Sequence, residues 1–212
     1  METTPHDEKE VAPKPTELIL AIAGLPRSGK TTLVDYLNLE LAKLGYPVSI
    51  FSFSTHLKEA LEKEDITNPM RKQYDRKSQE LRPSDNPAQV IESYPSNTIV
   101  IVDGLRNADE AIEVSVKRGV IVTLVCPPPA RFERAQKSGS QKDSTDTIDD
   151  FLNPEKSELF SYKPNGSHTE FTMSLAAPGL RFNTSLLSMA QIAKKVVEWL
   201  KNNNKLPVKQ ND

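Results

Sequence analysis

At 212 residues the chain holds one domain of ordinary size with a full core, and little is left for a second. A formal charge of −2, from 27 Lys and Arg against 29 Asp and Glu, gives no electrostatic case for nucleic acid or an anionic membrane. The single cysteine, Cys126, excludes an intramolecular disulfide and a cysteine-based metal cluster, and no apolar run approaches the roughly 18 residues of a membrane span.

Residues 1–16, with Pro5, Pro13 and Pro15 among Thr, Glu and Lys, have too little apolar surface to offset their ordering entropy and read as a disordered lead-in. They contain no apolar signal-peptide region, so a cytoplasmic protein is expected. Residues 17–23 are a short apolar run that reads as a buried strand. It leads into Gly24-Leu25-Pro26-Arg27-Ser28-Gly29-Lys30-Thr31, two glycines five apart followed by Lys and Thr. That is the spacing of a phosphate-binding P-loop. Leu33, Leu37, Leu41 and Leu44 then recur at helical spacing, predicting a helix over 30–44 with Gly45 at C′. The motif thus lies between a strand and a helix, as its mechanism requires. Gly24 and Gly29 free the backbone so that successive N–H groups can turn on a phosphate at the positive end of the new helix. Gly24, Ser28, Gly29, Lys30, Thr31 and Thr32 form the expected nucleotide-binding set, with Lys30 reaching the β/γ-phosphates and Thr31 ligating Mg²⁺.

Pro47 opens a second strand over 48–53, and Ser54-Thr55 closes it and caps a helix through 56–61. Asn68-Pro69 and Asn86-Pro87 are two further helix starts, each an N-cap followed by Pro. From the first, Met70, Tyr74 and Leu81 give only a broken apolar stripe, while Arg71, Arg76 and Arg82 supply cations, a pattern that suits a mobile helix. After a turn at 94–97, Thr98-Ile99-Val100-Ile101-Val102-Asp103-Gly104 is an apolar strand ending in a carboxylate. Mg²⁺ needs such a carboxylate beside the Thr hydroxyl, so Asp103 is the expected second metal ligand.

Asn107 caps a helix to Arg118 with Gly119 at C′, and residues 120–125 are another buried strand, at whose end Cys126 reads as a small buried residue. Pro127-Pro128-Pro129 stops that strand, and Pro129 is the expected first residue of a helix to Lys137, on which Arg131 and Arg134 share a face. Residues 138–147 are polar; 147–152 and 154–160 are short helical candidates, and the whole suits a lid closing on nucleotide. Residues 161–179 carry turns at Pro164-Asn165-Gly166 and Pro178-Gly179 and no clear element. A last strand over 180–183 precedes a helix opened by Thr184 or Ser188, with Ala190, Ala193, Val197 and Leu200 on one face, and residues 203–212 are a polar tail.

This alternation predicts an α/β protein whose parallel sheet is covered on both faces. Ligands in such sheets bind beyond the carboxyl ends of the strands, where Gly24–Thr31, Ser54, Asp103 and Cys126–Arg131 would emerge. His56 and His168 read as surface or loop residues, and the three histidines lack metal-ligand spacing.

With these motifs in place the chain resembles the P-loop nucleoside monophosphate kinase family, which includes adenylate kinase and dephospho-coenzyme A kinase. It is most similar to archaeal-type proteins related to the latter, through Asp103-Gly104-Leu105-Arg106-Asn107, Arg131-Phe132-Glu133-Arg134 and Glu80-Leu81-Arg82. The resemblance implies a three-layer P-loop NTPase sandwich over 17–202, with five parallel strands in the order 2-3-1-4-5. It also implies an acceptor-binding region over 54–92 and a lid over 130–160. It implies transfer of the γ-phosphoryl group of ATP, with Mg²⁺, to a small-molecule acceptor: a nucleoside or deoxynucleoside monophosphate, or dephospho-coenzyme A. The sequence leaves the acceptor open, because Arg106 follows Leu105 directly, the lid lacks a Gly-Arg pair, and Ser52–Lys58 looks like the acceptor strand of phage-type deoxynucleotide kinases.

Such chemistry needs cations around two polyanions. Lys30, Arg27, Arg131, Arg134 and Asp103 are the expected catalytic set, and Ser54, Arg71, Arg82 and Arg106 the expected acceptor side. A monomer or homodimer without membrane or nucleic acid is expected. The alternative reading is a regulatory P-loop NTPase acting with a protein or RNA partner.

Overall fold

The computed structural model describes residues 18–67, 69, 71–81, 98–139, 145–159 and 168–208. Strands β1 (Leu18–Gly24), β3 (Ile99–Leu105) and β4 (Val120–Val125) are apolar at nearly every position and buried on both sides. That composition fits the middle of a parallel sheet with helices on each face. β2 (Val48–Ser52) and β5 (Arg181–Asn183) form the edges, and the five strands pair in parallel in the order β2-β3-β1-β4-β5. The strand order expected from the resemblance is the order observed.

Side chains alternate across the sheet, so β1 feeds two cores. Leu18, Leu20 and Ile22 face one layer, made by α1 (Lys30–Lys43) and α8 (Met189–Asn202), with Leu33, Leu37 and Leu41 meeting Ile192, Val196 and Leu200. Ile19, Ala21 and Ala23 face the other. There they meet α2 (Phe53–Glu62), α4 (Ala108–Val116) and α7 (Thr169–Ser174) through Phe53, Leu57, Ala111, Val114 and Met173. α3 (Arg71–Leu81) packs beside α2, and Tyr74 and Leu81 reach this second core. α5 (Pro128–Lys137) and α6 (Ile148–Leu159) lie together beyond β4. No helix among the described residues is long and apolar enough to cross a membrane.

Several ends fall where local chemistry puts them rather than where the sequence places them. The Ser52 hydroxyl accepts the Thr55 N–H at 3.4 Å, so β2 stops at Ser52 and α2 begins at Phe53, not after Ser54-Thr55. α4 ends at Val116, and its left-handed C′ residue is Arg118, with φ 57°, not Gly119. Gly119 answers a different need: a Cβ there would meet Val114 Cγ1 at 2.7 Å, the Val114 carbonyl at 2.8 Å and Ile19 Cβ at 3.1 Å.

α5 starts one residue earlier than expected, at Pro128. The two short helices expected over 147–152 and 154–160 are one, α6, capped by the Thr147 hydroxyl accepting the Asp150 N–H at 3.2 Å. Pro154 lacks the N–H for an i−4 bond, yet the helix runs through it because Phe151 and Glu155 on either side are both buried. α7 lies within the stretch that carried no clear element, and α8 opens at Ser188, which shares a capping box with Gln191. Cys126 is half-buried rather than in the core. The single tryptophan, Trp199, donates its Nε1–H to the Pro178 carbonyl at 2.9 Å in the turn before β5. The expected disordered lead-in over 1–16, the helix start at Asn86-Pro87 and the turn at Pro164-Asn165-Gly166 lie outside the described residues.

Candidate functional site

β1 ends at Gly24, and the chain turns back on itself through Leu25–Ser28, with the Ser28 N–H donating to the Leu25 carbonyl at 3.2 Å. Gly24 has φ 151° and Gly29 φ 97°, both in the region that side chains disfavour. A Cβ at Gly24 would sit 2.6 Å from the Leu124 carbonyl and 2.7 Å from Ser28 Oγ, so the loop closes onto β4 only with glycine there. Gly29 is the N-cap of α1 and gives its helix end no side-chain cap, which leaves backbone N–H groups and a positive helix terminus facing the loop. Lys30 lies across this loop, its Nζ donating to the carbonyls of Gly24 at 2.9 Å and Leu25 at 3.0 Å.

β3 brings up the carboxylate. Ile22 is in register with Asp103, but Ala23 pairs with Leu105, so Gly104 is an extra residue that kinks the strand end at φ 89°. A Cβ on Gly104 would come 3.7 Å from Lys30 Cε, an ordinary contact, so it is the φ of 89° rather than crowding that favours glycine there. Thr31 Oγ1 donates to Asp103 Oδ2 at 2.8 Å, and Asp103 is 5% exposed. Hydroxyl and carboxylate are the hard oxygen pair that Mg²⁺ accepts when phosphates and waters complete its shell. No group of three His, Cys, Asp or Glu able to hold a metal by itself occurs among the described residues, so phosphate oxygens would be needed to complete the shell. The buried Ser28 Oγ has no hydrogen-bond partner.

The expected residues fall into three groups. Gly24, Arg27, Ser28, Gly29, Lys30, Thr31 and Asp103 are brought together around the loop, with Thr32 exposed in the first turn of α1. Arg131 and Arg134 also meet the loop, through its backbone carbonyls, and Arg134 Nη1 lies 3.9 Å from where a Cβ on Gly29 would be. Arg131 is 1% exposed; its Nε donates to the Cys126 carbonyl at 3.0 Å and its Nη1 to the Pro26 carbonyl at 3.3 Å. Its fork closes on Glu155, with Nη2 at 3.0 Å from Oε1 and Nη1 on Oε2, and Phe151 packs 5.7 Å from its Cζ. Arg134 donates through Nη1 to the Arg27 carbonyl at 3.2 Å and to Thr184 Oγ1 at 3.0 Å, and through Nη2 to the Thr184 carbonyl at 2.8 Å.

The acceptor-side residues are less closely gathered. Ser54 is exposed in the first turn of α2, 3.2 Å from Ser52 Oγ, and Ser52 is the β2 neighbour of Asp103. Arg106 follows β3; its N–H donates to Glu110 Oε2 at 3.3 Å and its carbonyl accepts the His168 N–H at 2.8 Å. Arg71 begins α3, and Arg82 lies outside the described residues. His56 is half-buried on α2, and His168 caps α7 with its Nδ1 buried and without a partner. α3 is tied to the turn after α2 by Lys77, which donates to Glu64 and to Glu80 Oε2. Those bonds hold the Lys77 ammonium above its ordinary range, and the Lys77 bond holds the Glu64 carboxyl below its own. Sequence reading missed Gly104, Glu155 and Thr184 as site residues. In the sequence Thr184 reads only as a helix start, and Glu155 only as the second residue of a short candidate helix that Pro154 opens.

Residues 20–158 match the AAA domain family, well over half of the chain. The chain belongs to the AAA domain family. No curated protein matches it. Among solved structures, this AAA-domain chain is similar to shikimate kinase from Acinetobacter baumannii in complex with shikimate, at 14% identity and a TM-score of 0.57, over 89% of this chain and 95% of that one. It is also similar to the APS kinase CysC of Mycobacterium tuberculosis, at 16% identity and a TM-score of 0.52, over 88% and 99% of the two chains. Shikimate kinase from Bacteroides thetaiotaomicron is similar at 18% identity and a TM-score of 0.51, over 88% and 98%. At these identities the likeness shows the fold, a P-loop sandwich shared along almost the whole length.

Proposed function

We propose that the protein is an ATP-dependent phosphotransferase that moves the γ-phosphoryl group of ATP, with Mg²⁺, to a small-molecule acceptor of nucleotide type. The observation that carries this reading is the hydrogen bond from Thr31 to Asp103 beneath the P-loop, since it pairs the two protein oxygens that a phosphate-bound Mg²⁺ takes. The kinase-type fold of shikimate kinase and APS kinase supports it.

In this reading Gly24, Ser28, Gly29 and Thr32 frame the phosphates, and Lys30 leaves the Gly24 and Leu25 carbonyls to pair with them. Thr31 and Asp103 would hold Mg²⁺, which when bound would supply charge neutralisation to the phosphate oxygens. For a phosphate acceptor the P–O bond to the leaving ADP breaks as an already deprotonated phosphate oxygen bonds to phosphorus, so no proton has to move and the residues' task is alignment and charge stabilisation. Ser54, Arg71, Arg82 and Arg106 are assigned to the acceptor side, with the cytoplasm as location and a monomer or homodimer as the working form.

The test is ADP release from ATP·Mg²⁺ by the full chain, alone and with ribo- and deoxynucleoside monophosphates, dephospho-coenzyme A, shikimate and APS. Strong stimulation by a nucleotide-type compound is the expected result. Stimulation by shikimate alone would replace the acceptor class, and ATP binding without stimulation by any compound would favour a regulatory NTPase.

A further inference from the structure

Arg131 and Arg134 stand three apart on α5, and each gives an N–H to one of two successive carbonyls of the P-loop, Pro26 at 3.3 Å and Arg27 at 3.2 Å. A trans peptide unit points its C=O and its N–H in opposite directions. Drawing these two oxygens toward α5 therefore turns the N–H groups of Arg27 and Ser28 away from it. The residue between the two units, Arg27, has φ 61°, a conformation that a residue with a side chain keeps only when its surroundings hold it there. The Leu25 carbonyl closes the turn by accepting the Ser28 N–H, and the two guanidinium groups hold it through the Pro26 and Arg27 carbonyls.

Each guanidinium is fixed in turn. Glu155 of α6 takes the fork of Arg131, and Thr184 after β5 accepts from Arg134 through both its hydroxyl and its carbonyl. All of the Arg131 bonds described run to protein oxygens, with the side chain 2% exposed.

We propose that Arg131 and Arg134 are positioning residues, which set the P-loop backbone in its phosphate-receiving shape and do not touch the transferred group, and that Glu155 and Thr184 are their supports. The inference rests on reading the P-loop as the nucleotide site. It assigns to one helix the preorganisation of the loop. It also couples α6, which carries Glu155, to the phosphate cradle through the Arg131 guanidinium.

Two substitutions separate this from a direct catalytic role. A cation on phosphate keeps much of its effect as lysine, whereas a fork serving three carbonyl and carboxylate partners does not. A cation merely kept away from the phosphates by Glu155 would be released by Glu155→Gln and would tighten binding. The experiment is equilibrium binding of ADP·Mg²⁺ to the full chain, followed by titration calorimetry, with thermal unfolding of each variant recorded alongside. Glu155→Gln and Arg131→Lys are each expected to weaken ADP binding about 10- to 100-fold, as loss of a supporting partner does in other sites. Thr184→Val keeps the carbonyl but loses the hydroxyl and is expected to weaken it less; it carries the test if Glu155→Gln does not fold. Unchanged or tighter binding in folded Glu155→Gln, or unchanged binding in both Arg131→Lys and Thr184→Val, overturns the positioning roles alone. If the unsubstituted chain binds no ADP, the nucleotide site itself fails and this inference goes with it.

Discussion

Thr31, at the start of α1, donates its hydroxyl to Asp103, at the end of β3, across 2.8 Å and 72 positions of sequence. The neutral hydroxyl gives Asp103 a hydrogen bond and leaves its carboxylate charge uncompensated. Asp103→Asn keeps the shape and loses the charge. It is expected to leave the fold intact and to lower Mg²⁺-dependent turnover about 10²-fold or more, the scale seen when one charge-stabilising group is lost. Steady-state rates across a Mg²⁺ titration check this, and a rate within twofold of the unsubstituted protein would remove Asp103 from the metal site.

Lys30 spans the loop through the Gly24 and Leu25 carbonyls. Lys30→Ala removes two half-buried hydrogen bonds worth about 1 kcal/mol each, so stability falls modestly. Phosphoryl transfer is expected to collapse and ATP affinity to weaken. Unaltered turnover in this variant would be incompatible with the P-loop assignment.

The end of α4 offers a paired stability test. Gly119→Ala places a methyl against Val114 and Ile19 at distances of 2.7–3.1 Å and is expected to cost about 1–3 kcal/mol by overpacking. Arg118→Gly relieves a side chain at φ 57° and is expected to stabilise by roughly 1 kcal/mol. Urea unfolding measures both, and the opposite ordering would place the left-handed residue at 119.

The α2–α3 junction sets a pH window. The hydrogen bond from Lys77 lowers the Glu64 carboxyl below its ordinary 4.5, and the bonds to Glu64 and Glu80 raise Lys77 above its ordinary 10.5. A carboxylate lowered on folding contributes fully above 4.5, and that contribution is lost as pH falls through the folded value; an ammonium raised on folding contributes fully below 10.5, and loses it as pH rises through its folded value. The junction is therefore expected to be insensitive to pH between those limits. Glu64 is well exposed to water, so the effect is small. A carboxyl carbon titration of Glu64 by NMR with its midpoint at or above 4.5 would contradict the pairing.

What the sequence made readable was local. The P-loop glycines, the apolar strands and the carboxylate ending β3 each follow from a short pattern, and the strand order followed from the family they resemble. What it concealed depends on partners distant in the chain. Gly119 looks like a helix stop until Ile19 and Val114 are seen against it. Glu155 falls at the start of a short candidate helix, and nothing in the pattern marks it as the partner of Arg131, 24 positions away. Arg131 and Arg134 share a helix face by their spacing, but only the fold turns them toward the Pro26 and Arg27 carbonyls. Ser52 and Ser54 differ as caps by one hydroxyl geometry, which no pattern of residue types encodes.

Trp199 lies on the helix whose first residue, Met189, fills the space over Gly29, yet it is ten residues further along, about 15 Å at the rise of an α-helix. As the chain's single indole, held by the Pro178 carbonyl, it is an intrinsic fluorophore set apart from the phosphate cradle. Its emission will follow the melting of α8 from the sheet.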